Sequence, residues 1–165
     1  MRIHEAALLI LLVIAAVVAI SHYERLPDRM ATHFDASGAA DGWTSRAVFF
    51  GIYGVSLLLA AGPPALLPRY IRRLPESAIN LPHKEFWLAP ERRDATWAAI
   101  EGRLGAIGVA VVTLLVFVLH LIVRANLAPD PGLRPIEIWG PIAAFLIFTA
   151  AWTVGLWRRF ARPEV

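Results

Sequence analysis

The chain has no cysteine, which excludes disulfides, thiolate nucleophiles and zinc–thiolate sites and leaves the redox compartment open. Any resident metal would have to use histidine and carboxylate. Charge is scarce too: 18% of the 165 residues are Asp, Glu, Lys or Arg, against 58% apolar, a balance far from that of soluble domains. The class is membrane. There is no internal repeat and no low-complexity segment. Paired carboxylates, a Ser/His arrangement and a phosphate-binding loop are also missing, so the residues give catalysis no support. A formal charge of +3 does not point to nucleic acid, because the 16 Lys and Arg fall at the ends of apolar runs, where they meet lipid headgroups and set orientation.

What the chain has in abundance is apolar length. Ala6 to Ile20 is unbroken, and with its flanks it predicts a span over residues 4–22, enough for a helix rising 1.5 Å per residue to cross roughly 30 Å of hydrocarbon. Arg2 before it and the alanines near its end also fit a secretory signal, which stays open as an alternative. A second run predicts a span over 46–67. It contains Gly51, Gly54 and the pair Pro63-Pro64, which remove two amide donors and predict a kink or an early helix end near Gly62.

The clearest span covers 101–124. Leu104 to Val123 holds fourteen Leu, Ile, Val or Phe in twenty positions, worth at most about 4–8 kcal/mol on the insertion scale. Gly102, Gly105 and Gly108 recur along it, and Ala106 with Ala110 makes a small-xxx-small pair, a pattern for close approach of a neighbouring helix. The fourth span, 136–157, has Trp139 and Trp157 at its ends and stops at Arg158-Arg159, with Pro141 tolerated in its first turn. The fold class is therefore an all-α membrane protein: four transmembrane helices in one domain, an ordered outer loop over 23–45 and a cytoplasmic loop over 68–100.

Orientation follows from the basic residues. With the N-terminus inside, eleven of the 16 Lys and Arg lie on the cytoplasmic side, so the positive-inside rule puts both termini in the cytoplasm and the 23–45 loop outside. The third span then runs outward. That brings His120 near the outer surface together with His22, His33, Asp35, Asp41 and Glu137.

The outer loop is polar, has no helical period and is the densest collection of site-capable side chains: His33, Phe34, Asp35, Gly38, Asp41, Gly42 and Trp43. In an extended segment residues two apart share a face, so His33 and Asp35 are placed to address one ion or proton. With His22, Asp41 and His120 they are the metal candidates, of a type suited to zinc or another divalent transition metal, although the spacing is not diagnostic. The competing reading is structural: Asp35 makes an Asx turn with Ser37 and Gly38, Asp41-Gly42 makes a second turn, and His33 ties the loop down. His120, ionisable and inside a span, reads equally as a functional residue or as one reaching headgroups.

The cytoplasmic loop carries a second motif, Asn80, Pro82, Lys84, Trp87, Pro90, Glu91, Arg92 and Arg93. Pro90 with Glu91 and Asp94 predicts a helix start, and Trp97, Ile100 and Leu104 continue one apolar stripe into the third span. Phe86, Trp87 and Leu88 are expected in the headgroup interface with Arg92 and Arg93 on phosphates; docking of a cytoplasmic partner is the alternative.

Leu26-Pro-Asp-Arg, His33-Phe-Asp, Gly38 and Asp41-Gly-Trp, directly after a first apolar run, resemble the bacterial membrane family known as domain of unknown function 1648. Asn80-Leu-Pro-His-Lys-Glu-Phe-Trp-Leu-Ala-Pro-Glu-Arg-Arg is similar to a second signature of many members. The same domain occurs in larger immunity proteins of the sporulation-delaying-toxin type, which protect the cell from a secreted peptide toxin and hold a repressor at the membrane. The present chain is expected not to include their additional immunity domain. The resemblance implies that the outer-loop motif matters, without assigning it a chemistry.

The expectation is a non-enzymatic inner-membrane protein whose outer loop binds a peptide or protein, in an immunity- or signalling-like role. The alternatives are an accessory subunit of a larger membrane complex and a metal-dependent membrane enzyme. The sequence requires no cofactor. The partners expected are the lipid bilayer and a peptide or membrane protein, not nucleic acid.

Overall fold

The computed structural model describes residues 2–161. In chain order it has α1 (Ile3–His22), a 3-10 turn (Tyr23–Arg25), β1 (Arg29–Phe34), β2 (Ala40–Ser45), α2 (Arg46–Ile71), a second 3-10 turn (Glu76–Ala78), α3 (Lys84–Trp87), α4 (Arg93–Asn126) and α5 (Pro135–Phe160). Among the described residues four helices, α1, α2, α4 and α5, are long and apolar enough to cross a membrane, and beside them stand the short helical turns and one two-stranded antiparallel sheet. The chain is an all-α, multi-pass membrane protein. Four crossings put Ile3 and Phe160 on one face, called here the terminal face, and the hairpin of β1 and β2 on the other.

Helix α4 is the axis on which α1 and α2 pack. In lipid there is no hydrophobic drive between helices, so association rests on close van der Waals contact at small residues. Gly105 and Gly108 provide it: a Cβ on Gly105 would sit 2.3 Å from the His4 ring of α1, and one on Gly108 2.5 Å from the Pro64 ring of α2. Gly102 faces open space instead. Leu8, Ala15, Phe49, Tyr53, Leu57, Val112 and Leu119 fill the core between these three helices. Helix α5 stands apart, with Phe160 its single buried residue; it leans mainly on α4, with Trp87 against Phe160 at one end and Trp139 on the hairpin tip at the other.

The expected helix end near Gly62 is not there; α2 continues to Ile71 through Pro63, Pro64 and Pro68. Proline's fixed φ is itself helical, so the helix can continue at the cost of the missing N–H bonds and of crowding against the carbonyl four residues earlier, and the contact of Pro64 with Gly108 holds the segment in line. The third span is also longer than expected. Its 34 residues reach about 51 Å, some 20 Å more than the hydrocarbon needs. Its start is Arg93, so Pro90 and Glu91 belong to the preceding turn, with Asp94 the one acid in the first helical turn.

At the terminal face this excess length carries Glu101, whose side chain is 5% exposed between Arg2 at 2.6 Å and Arg72 at 2.9 Å. Glu5 of α1 meets Arg69 of α2 at 2.8 Å. A carboxylate on the central helix thus joins the ends of its two neighbours, where a buried charge is tolerable only because it is paired.

Candidate functional site

The hairpin between α1 and α2 is a built element, not an irregular loop. Asp35 Oδ1 accepts from the Ser37 amide (2.8 Å), the Ser37 hydroxyl (2.6 Å) and the Ala39 amide (3.0 Å), an Asx turn that reverses the chain. The Ser37 hydroxyl, and then the Ala39 amide, hold the Asp35 carboxyl below the ordinary aspartate range. Gly38 follows with φ +94°, and a Cβ there would lie 1.7 Å from the Leu133 carbonyl oxygen. Only glycine fits. The approach is so close because the Leu133 amide donates to the Gly38 carbonyl at 2.9 Å, and Trp139 Nε1 of α5 donates to the Ala36 carbonyl at 3.2 Å. The hairpin tip is thereby pinned to the connector before α5.

The root of the hairpin is held from two further sides. Ala31 is fully buried, and its backbone N–H and C=O do not point at β2; both meet the Asn126 carboxamide at the end of α4, each at 2.8 Å. Asn126 is 5% exposed and also donates to the Ile122 carbonyl at 2.9 Å, so a side chain does the work of a third strand along one stretch of edge. Arg46 closes the other side. Its guanidinium donates to the carbonyls of Tyr23 and Leu26 and to Asp28, and it stacks 4.5 Å over the Tyr23 ring. Met30 and Phe34 turn inward, Met30 into the core and Phe34 against it.

Outward, the hairpin presents His33, Asp41 and Trp43, all exposed. His33 Nδ1 and Asp41 Oδ1 are 2.5 Å apart across the strands, beside a register shift that sets His33 opposite Gly42. Gly42 is required there, since a Cβ would come within 2.7 Å of the His33 Cβ. The second turn expected at Asp41-Gly42 is corrected by this pairing: both lie within β2, and Asp41 engages His33.

The metal candidates do not converge. His22 sits at the end of α1, its Nδ1 at 2.9 Å from the Val18 carbonyl, and His120 is exposed on α4. Asp35 is occupied by its own turn. Among the described residues, no group of three His, Asp or Glu is placed to hold a metal ion.

The second motif packs inward more than expected. Trp87 and Leu88 are buried in the protein, not in headgroups: Trp87 Nε1 donates to the Phe160 carbonyl at 3.3 Å, and the Thr96 hydroxyl to the Trp87 carbonyl at 2.8 Å. Arg92 lies 3.9 Å over the Phe86 ring and Arg93 meets Glu76 at 3.1 Å. Lys84 opens α3 just after His83, which has a left-handed φ of 52°, while Asn80 and Pro82 line a cavity beside α5. Asn126, Arg46 and Glu101 were not singled out from the sequence. Glu101, an acid beside a span between two basic clusters, is the one that carried a legible signal.

Residues 10–58, from within α1 through the hairpin into α2, match the family described as Domain of unknown function (DUF1648). The match covers that segment, less than a third of the chain. The DUF1648 segment therefore contains the whole hairpin, whereas Asn126, Leu133 and Trp139, which hold it, lie beyond the matched residues. No curated protein and no solved structure matches the chain.

Proposed function

We propose that this is a non-enzymatic protein of the bacterial inner membrane, in which the DUF1648 hairpin binds a peptide or protein outside the membrane, in an immunity- or signalling-like role. The terminal face is cytoplasmic by the positive-inside rule. One observation carries the reading: the hairpin is held rigidly by Asn126, Arg46, Leu133 and Trp139, yet keeps His33, Asp41 and Trp43 exposed. A fixed backbone that displays an aromatic and a hydrogen-bonded histidine–aspartate pair lowers the ordering cost of recognition. Crosslinking and pull-down from intact membranes tests it: His33→Ala and Trp43→Ala lose a partner that the wild type captures, and retention of every partner by both variants rejects the binding role. A tag at Ser37 reporting from the same compartment as the chain ends would reject the orientation.

A second reading, an accessory subunit, is favoured by α5. Along its apolar stretch none of its residues is buried, and an open seam lined by Phe117, Phe145 and Phe148 runs between it and α4. Purification in mild detergent distinguishes the two, since a stoichiometric second membrane chain supports the subunit and a lone monomer counts against it.

A further inference from the structure

At the terminal face the connector after α2 folds over the ends of α4 and α5 and leaves a cavity of about 640 Å³. That is within the roughly 300–1,000 Å³ of small-molecule sites. Its wall is apolar, built from Leu74, Ile79, Trp97, Ile100, Leu156 and Trp157 among others, with Asn80 and Thr153 as its only non-aromatic polar side chains. The depth is set by Trp157, the last residue of the apolar run of α5 before the exposed pair Arg158-Arg159. This is the aromatic-belt level of a bilayer, where glycerol and the first acyl carbons lie.

Basic residues flank this lining along the chain. Arg73 precedes Leu74, Arg158 and Arg159 follow Trp157, and Arg103 reaches the α5 backbone beside Leu156, its Nη1 3.2 Å from where a Cβ on Gly155 would stand. Among the described residues none of these four has a carboxylate partner. Glu76 meets Arg93, Glu101 meets Arg2 and Arg72, and among the described residues no acid lines the wall. Apolar volume at headgroup depth, flanked along the chain by arginines that no described carboxylate pairs, matches one chemistry, an anionic amphiphile.

We propose that this cavity binds one anionic phospholipid of the leaflet at the terminal face, its upper acyl chain among Trp97, Ile100, Leu156 and Trp157 and its phosphate on the flanking arginines. The site is independent of the hairpin and of the role proposed for it.

The test is native mass spectrometry of the full chain, released from bilayers containing phosphatidylglycerol and phosphatidylcholine with matched acyl chains. The wild type retains one phosphatidylglycerol per chain in preference to phosphatidylcholine. Arg73→Gln with Arg158→Gln, both exposed and with no side-chain partner among the described residues, weakens that retention roughly tenfold to thirtyfold and leaves phosphatidylcholine unchanged. Ala78→Trp, on the exposed 3-10 turn, puts an indole into the cavity and abolishes lipid retention. Equal retention of the two lipids, retention of neither, or full retention in Ala78→Trp overturns the proposal. So does a matched fatty acid held in place of the phospholipid, or a lipid-free dimer that Ala78→Trp splits, which would assign the cavity to a second copy.

Discussion

Asn126→Ala removes the one acceptor and one donor that the backbone of Ala31 uses. Ala31 is 0% exposed, its N–H and C=O each lie 2.8 Å from the Asn126 carboxamide, and β2 offers them no substitute. A buried backbone group stripped of its partner costs about 1–3 kcal/mol, so two bracket the loss at about 2–6 kcal/mol. The third bond, to the Ile122 carbonyl, adds little because the helix ladder already engages that oxygen. Truncation also opens room for water near the hairpin face, which moves the expected value to the low end, about 2 kcal/mol, or roughly thirtyfold in a local opening equilibrium. Amide hydrogen exchange on the protein in detergent reads this directly. Exchange across β1 accelerates by that factor while the α2–α4 core is unchanged, and His33→Ala, on the exposed face, leaves it alone. An Ala31 amide exchanging within about twofold of wild type in Asn126→Ala would refute the idea that α4 holds the strand.

Gly38→Ala forces an L side chain to φ +94° and against the Leu133 carbonyl, so the tip detaches from the connector at a cost of about 2 kcal/mol, seen as a lower melting temperature in detergent. Glu101→Gln leaves Arg2 and Arg72 facing each other without a carboxylate. Because those side chains are 42% and 38% exposed and can reach headgroups, the loss is expected at about 1–3 kcal/mol, below the figure for a fully buried pair, and thermal unfolding measures it. The Asp35 carboxyl is held below its ordinary value of 3.8, so its contribution to the turn is complete above that value and is lost as pH falls through the lower folded value. Acid titration followed by exchange at Ala39 shows the turn opening there, and Asp35→Asn removes that pH dependence.

The spans were legible because insertion depends on summed hydropathy over about twenty residues, which any order of Leu, Ile, Val and Phe satisfies. The Asx turn at Asp35 was legible as well, as the structural alternative, since it closes within five residues. The hairpin strands were not. Arg29–Phe34 and Ala40–Ser45 have little apolar alternation, because their inward side is served by Met30, Phe34 and a distant carboxamide in place of a regular sheet face. The Trp87 motif read as interfacial for a similar reason: an aromatic beside arginines has the same composition whether it meets headgroups or the Phe160 carbonyl.

By itself the sequence determined the membrane class, the four crossings, the turn chemistry at Asp35 and the polar segment between the first two spans, since each is decided by residues near one another in the chain. Only the tertiary structure decided which side chains meet. It drew Asn126 to Ala31 across 95 positions, set His33 on Asp41 and kept His22 and His120 away from both. Those outcomes depend on how α4 and α5 stand against α1 and α2, a matter of packing between helices whose lipid-facing and helix-facing surfaces are alike in composition.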